Sequence, residues 1–162
     1  MIFVTIGSVI AFDRLVEAVD AVAAEHPDED WFAQIGDGTY LPTHMAYARY
    51  VDRDEFERRV AEADLLIGHA GMGTISAALA AGKPLLVMPR DDARGEHVDD
   101  HQFLTADLFA ADGHVLVARE AGDMAGMLDE LRSFEPTPRE STAAGVGERV
   151  GRFLSDQQAR RR

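Results

Sequence analysis

Short apolar runs alternate with longer stretches of helical periodicity along almost the whole chain. Residues 2–6 (Ile-Phe-Val-Thr-Ile) form a largely β-branched run that stops at Gly7-Ser8. Phe12, Leu15, Val16, Val19, Val22 and Ala23 then recur at the spacing of one helix face. Pro27 and the acidic Asp28-Glu29-Asp30 make a turn into a second strand over 31–35, which ends at Gly36-Asp37-Gly38. The same alternation predicts strands over 47–51, 65–67, 85–88 and 114–117. It predicts helices over 54–63, 71–81, 98–111 and 121–131, with Gly82 closing the helix over 71–81. Pro136 and Pro138 mark a linker, and residues 141–158 read as a terminal helix.

Nearly continuous apolar strands separated by helices specify an α/β domain: an open, Rossmann-like parallel sheet with helices on both faces. The expected organisation is one domain over 1–135, then a linker and helix over 136–162 that packs on the domain or on a partner. In such sheets ligands bind at the carboxyl ends of the strands. The loops beginning at Gly7, Gly36, His69 and Pro89 should therefore share one edge and frame a cleft.

Composition narrows the classes. A length of 162 residues with 46% hydrophobic positions suits one domain with a true core. The absence of cysteine excludes disulfides, thiolate metal sites and a cysteine nucleophile. A net charge of −13 repels a phosphate backbone, so nucleic acid is not an expected partner. Asp13 and Arg14 interrupt the opening apolar run before a signal-peptide core is complete, and no run approaches the roughly 18 residues needed to span a bilayer. A soluble, cytoplasmic protein is expected. Lys83 is the single lysine among 16 basic residues, a compositional bias with no functional reading.

The segment Ile67-Gly68-His69-Ala70-Gly71-Met72-Gly73-Thr74-Ile75 runs from a buried strand through a glycine turn into a helix. Small residues let a ligand approach the backbone there, and free N–H groups with the helix dipole favour an anion such as pyrophosphate. As a dinucleotide fingerprint it fails, because Ser76 stands where the third glycine belongs and the strand is a late one. Ala81-Gly82-Lys83-Pro84 is not a P-loop: Pro84 replaces the Ser or Thr, and Ala77 the first glycine. Tight helix–strand packing is the alternative explanation of the glycines. A second polar cluster follows Pro89, comprising Arg90, Asp91, Asp92, Arg94, Gly95, Glu96, His97, Asp99, Asp100, His101 and Gln102. It suits a polyol or phosphate, or equally a solvated loop with a capping aspartate. His97 and His101 lie one helical turn apart, but Val98 stands where a zincin glutamate would, and no third ligand is spaced nearby. No metal site is expected. His26 and His44 read as surface residues and His114 as structural.

Met1–Gly7, Phe12-Asp13-Arg14-Leu15, Gln34-Ile35-Gly36-Asp37, His69–Thr74, Gly82-Lys83-Pro84-Leu85, Met88-Pro89-Arg90 and Glu96-His97-x-x-Asp100-His101-Gln102 occur in that order. Together they resemble the donor-binding, C-terminal-type domain of the GT-B family 28 glycosyltransferases, over roughly residues 1–131. The resemblance extends to stand-alone catalytic subunits of two-component bacterial polysaccharide glycosyltransferases.

The resemblance implies one half of a GT-B enzyme that transfers a sugar from a UDP-sugar to a lipid-linked saccharide acceptor. The donor is a substrate, and no cofactor is implied. Gly71, Met72, Gly73 and Thr74 would hold the donor diphosphate, aided by Arg90 and Arg94. Asp100, His101 and Gln102 would face the sugar hydroxyls, with Pro89 and Arg90 on the nucleoside side. The family's acidic ribose contact is replaced by Ala77, which leaves Glu96 as the substitute. Ser8 and His69 are the candidate bases on this chain; otherwise the base comes from the partner. That partner is a membrane-attached subunit carrying the acceptor site, which recruits the chain to the inner face of the cytoplasmic membrane. Its interface would include the terminal helix and the apolar positions around Phe12. A non-catalytic nucleotide-sugar-binding regulatory or assembly protein of the same fold is the competing reading, and Ala77 favours it.

Overall fold

The computed structural model describes residues 1–98 and 100–138. Six parallel strands form one sheet: β1 (Ile2–Thr5), β2 (Trp31–Gln34), β3 (Ala46–Ala48), β4 (Leu65–His69), β5 (Leu85–Met88) and β6 (Leu116–Val117). Their order is β3-β2-β1-β4-β5-β6. The register sets Thr5 beside Gln34 on one side and Gly68 on the other, and His69 beside Met88. Four helices connect them, α1 (Asp13–Glu25), α2 (Arg53–Glu62), α3 (Met72–Ala80) and α4 (His101–Ala111), and α5 (Met124–Ser133) follows β6. The chain therefore adopts the expected Rossmann-like sheet with helices on both faces.

Side-chain alternation in the central strands explains the three layers. Ile2, Val4, Leu65, Ile67, Leu86 and Met88 point to a core closed by Leu15, Val16 and Val19 of α1 and Met124, Leu128 and Leu131 of α5. Phe3, Leu66, Leu85 and Val87 point the other way, onto Val60 of α2, Ile75 and Ala78 of α3, and Ala106 and Phe109 of α4.

Several boundaries differ from the sequence expectation. The third strand is Ala46–Ala48 rather than 47–51, and residues 49–52 form the approach to α2. Asp52 caps that helix, its carboxylate accepting the Glu55 N–H at 2.8 Å. The fourth helix begins at His101, not 98, because the polar segment after β5 first makes a 3₁₀ turn over Asp92–Arg94. The helix expected over 141–158 lies outside the described residues. His114 is structural as expected, its Nδ1 2.7 Å from the Thr137 carbonyl. At the amino edge of the sheet, Lys83 donates from Nζ to the Ala63 carbonyl at 2.6 Å, bridging the segments that enter β4 and β5. Among the described residues, no helix is long and apolar enough to cross a membrane.

Candidate donor-binding site

The strand order reverses between β1 and β4, so the loops leaving these two strands diverge and open a crevice. A cleft of about 540 Å³ lies there. Residues 6–10 after β1, Gln34 at the end of β2, His69, Gly73 and Thr74 after β4, and Arg90 after β5 line it. His97 contributes from the next loop, and Val51, Asp52, Arg53 and Phe56 close the side nearest α2. Of the residues singled out by the motifs, Gly7, Ser8, His69, Gly73, Thr74 and Arg90 line this cleft, whereas Gly36, Gly71, Met72 and Pro89 are not among its lining residues. No sequence motif signals the contribution of Val51, Asp52, Arg53 and Phe56. The rule that directs attention to carboxyl-edge loops applies equally to the loop after β3 and finds them.

Gly7 turns the chain at φ +78°, and Gln34 Nε2 donates to its carbonyl at 2.8 Å. The His69 imidazole lies between this turn and the start of α3. A Cβ on Gly7 would stand 2.7 Å from its Cε1, and one on Gly71 would stand 2.1 Å from its Nε2. Only glycine leaves room for the ring at either position. His69 Nδ1 is 3.3 Å from the Thr74 hydroxyl. Burial, then the positive charge of Arg90, pushes its pKa down to about 4 against the opposing Thr5 carbonyl. His69 is therefore neutral near pH 7 and weakly basic, which disfavours its candidacy as the catalytic base. Ser8 is exposed on the cleft wall.

The N-terminus of α3 faces this space without a side-chain cap; Gly71 is its N-cap residue. The first intrahelical bond is donated by Ile75 to the Gly71 carbonyl at 3.1 Å, so the N–H groups of Met72, Gly73 and Thr74 have no acceptor within the helix. A Cβ added at Gly73 meets nothing within 4 Å. This glycine is not demanded by packing; it leaves open space above unsatisfied donors. The charged lining residues are Asp52, Arg53 and Arg90; Asp52 caps α2, Arg53 pairs with Glu57 at 2.7 Å and the Arg90 guanidinium is spent on main-chain carbonyls, which leaves the α3 N–H groups as the anion-binding feature of the cleft.

Other expected ligand contacts are engaged elsewhere. The Glu96 carboxylate takes both its oxygens to Arg14, at 2.8 and 2.7 Å, and also accepts the Asp91 N–H at 2.9 Å. Burial alone would raise its pKa, but these bonds hold it below the usual carboxylate range. Arg94 pairs with Asp91 and Glu120, both at 3.1 Å. Arg94 and Glu96 line a separate groove between α1 and the segment entering α5, not the cleft. Gln102 is buried and accepts the Arg90 N–H at 3.2 Å. Asp100 and His101 are exposed at the start of α4, with the His101 ring 4.7 Å from that of His97. Gly36 turns the chain after β2 at φ +58°, and Pro89 gives its carbonyl to Arg14. Phe12 itself is 1% exposed and belongs to the core. Among the described residues no group of acidic, histidine or cysteine side chains is placed to hold a metal ion.

Comparison with known proteins adds relatives. The chain is 30% identical over 124 residues to the human UDP-N-acetylglucosamine transferase subunit ALG13, covering 70% of this chain and 10% of that protein. It is 36% identical over 95 residues to the UDP-N-acetylglucosamine–N-acetylmuramyl-(pentapeptide) pyrophosphoryl-undecaprenol N-acetylglucosamine transferase of Azotobacter vinelandii, covering 56% of this chain and 25% of that one. The chain thus matches between a tenth and a quarter of the length of these two relatives. Its fold matches the solution structure of ALG13 with a TM-score of 0.62 at 20% identity, over 92% of this chain and 93% of that one. The model of the glycosyltransferase family 28 C-terminal domain matches residues 1–151, and the chain belongs to that family.

Proposed function

We propose that this chain is the donor-binding part of a glycosyltransferase of polysaccharide biosynthesis that moves a sugar from a UDP-sugar to a lipid-linked saccharide acceptor. A separate membrane-attached subunit carries the acceptor site and recruits the chain to the inner face of the cytoplasmic membrane. The UDP-sugar is a substrate, and no further cofactor is required. The names of the relatives support the donor class, a subunit organisation and a lipid-linked acceptor. The observation that carries the reading is the uncapped start of α3, open above Gly73, at the point where the strand order reverses.

As the bond to the donor sugar breaks, the UDP leaving group gains negative charge. The N–H groups of Met72, Gly73 and Thr74 and the α3 dipole stabilise it without reorganising. Asp100 and His101, exposed at the start of α4, are assigned to the sugar hydroxyls. With His69 held near pKa 4 and Asp52 tied to its helix, the base for the acceptor hydroxyl comes from the partner. The weak basicity of His69 also favours a second reading, a nucleotide-sugar-binding protein without transfer.

Calorimetric titration with UDP tests the first reading. Binding is expected, and Gly73→Asp should weaken it at least tenfold while the melting temperature stays within a degree or two, since its Cβ enters empty space. No heat at millimolar UDP would defeat the donor reading. Donor bound but never turned over, with the acceptor subunit present, would favour the second.

A further inference from the structure

Arg90 is 2% exposed, yet among the described residues no carboxylate bonds to its guanidinium. Four of its five N–H groups go to main-chain carbonyls. One terminal nitrogen donates to Ile6 at 2.9 Å and Ile10 at 2.5 Å, the other to Ala11 at 2.6 Å and Glu96 at 3.4 Å. The guanidinium carbon lies 4.6 Å from the centre of the Phe12 ring, whose other cationic neighbour is Arg14 at 5.3 Å. Glu96, the nearby carboxylate, is occupied by Arg14. Three of the four carbonyls belong to the strap that leaves β1, and that strap is one wall of the cleft. Between Gly7, whose carbonyl Gln34 holds, and the buried Phe12 the strap has no regular structure, and Val9 is 88% exposed.

We infer that Arg90 is the positioning residue of the cleft: it fixes the strap over residues 6–11 from the opposite side of the strand-order reversal, and acts on ligands through that wall. A planar fork with donors on two nitrogens can hold three carbonyls that belong to successive turns of an irregular segment. A flexible ammonium reaches one or two of them. Gln102 fixes the backbone from which Arg90 starts, since its side chain takes the Arg90 N–H, so the first turn of α4 is joined to the same support. Burial among neutral acceptors lowers the Arg90 pKa to about 10, which leaves it charged at pH 7.

The affinity half of the test rests on the donor reading; the exchange half does not. Amide hydrogen exchange of the full chain without ligand is compared for wild type, Arg90→Lys and Arg90→Met, with UDP titrations alongside. Arg90→Met should accelerate exchange over residues 8–12 at least tenfold, leave Ala33 and Ile67 in the strands unchanged, and weaken UDP binding tenfold or more. Arg90→Lys should recover part of both together. Lost affinity with an unchanged strap would make Arg90 a ligand contact and overturn the inference. A loosened strap with unchanged affinity would overturn it as well. If Arg90→Met does not fold, the parallel shift of exchange and affinity in Arg90→Lys decides. If wild type binds no UDP, the donor reading fails, while the exchange comparison still decides whether Arg90 holds the strap.

Discussion

His69 shows how a motif can place a residue in the cleft without revealing its surroundings. Its place after a buried strand, in a glycine turn, marked it as part of the cleft, and the structure puts it there. Which way its ring turns depends on Gly7 and Gly71, and the meeting of these three could not be read from spacing along the chain. Once enclosed, the imidazole resists protonation, and that has a consequence for stability. An unfolded chain binds a proton at His69 below about pH 6.5, whereas the folded protein refuses it until about pH 4. The stabilisation is complete above pH 6.5 and is lost as pH falls toward 4, by something of order 3 kcal/mol. Melting temperatures measured from pH 7 to pH 4 should therefore fall, and His69→Gln should flatten that decline. An equally steep decline in the variant would show that other groups cause it.

A buried charge in the middle of α1 governs a loop far away in sequence. Asp20 is 1% exposed and accepts the Thr43 N–H at 3.0 Å, the His44 N–H at 2.8 Å and the Tyr40 hydroxyl at 2.9 Å. Burial alone would raise its pKa, but these donors outweigh it and hold the carboxylate below its ordinary range. Asp20→Ala strands two backbone N–H groups and should cost about 2–4 kcal/mol in urea denaturation. Asp20→Asn, which keeps one acceptor oxygen, should cost less. A loss below 0.5 kcal/mol for the alanine variant would mean that water replaces the carboxylate. The same loop explains where periodicity failed. β3 is a three-residue edge strand with exposed or half-buried side chains, so no alternation marks it. Its neighbourhood is set by Asp20 and by Arg49, which donates to the carbonyls of Gly36 and Gly38 at 2.9 and 3.1 Å. The central strands and α1, by contrast, carry apolar faces strong enough to be seen, and only their ends moved. The late start of α4 has a similar cause: Val98 is apolar but solvent-exposed, so it belongs to no helix face.

The sheet and its cleft were legible because parallel strands with apolar faces admit few arrangements, and all of them place loops after the strands on one edge. What composition could not show was that the arginines lining the cleft are already engaged, Arg53 by Glu57 and Arg90 by main-chain carbonyls. Nor could it show that Arg94 and Glu96 turn away from that cleft. The lysine at position 83, without meaning as a compositional oddity, gains one from the fold. It lies on the amino edge, bonded to Ala63 before β5 begins, with the full length of the strands between it and the cleft. A biotin ester coupled to its amine should leave UDP affinity within twofold of the untreated chain, and a marked loss would place the nucleotide elsewhere. On a streptavidin sensor every molecule attached through this side chain stands the same way up, with its binding edge toward the solution. The acceptor subunit can then be sought as an analyte against a uniformly oriented surface.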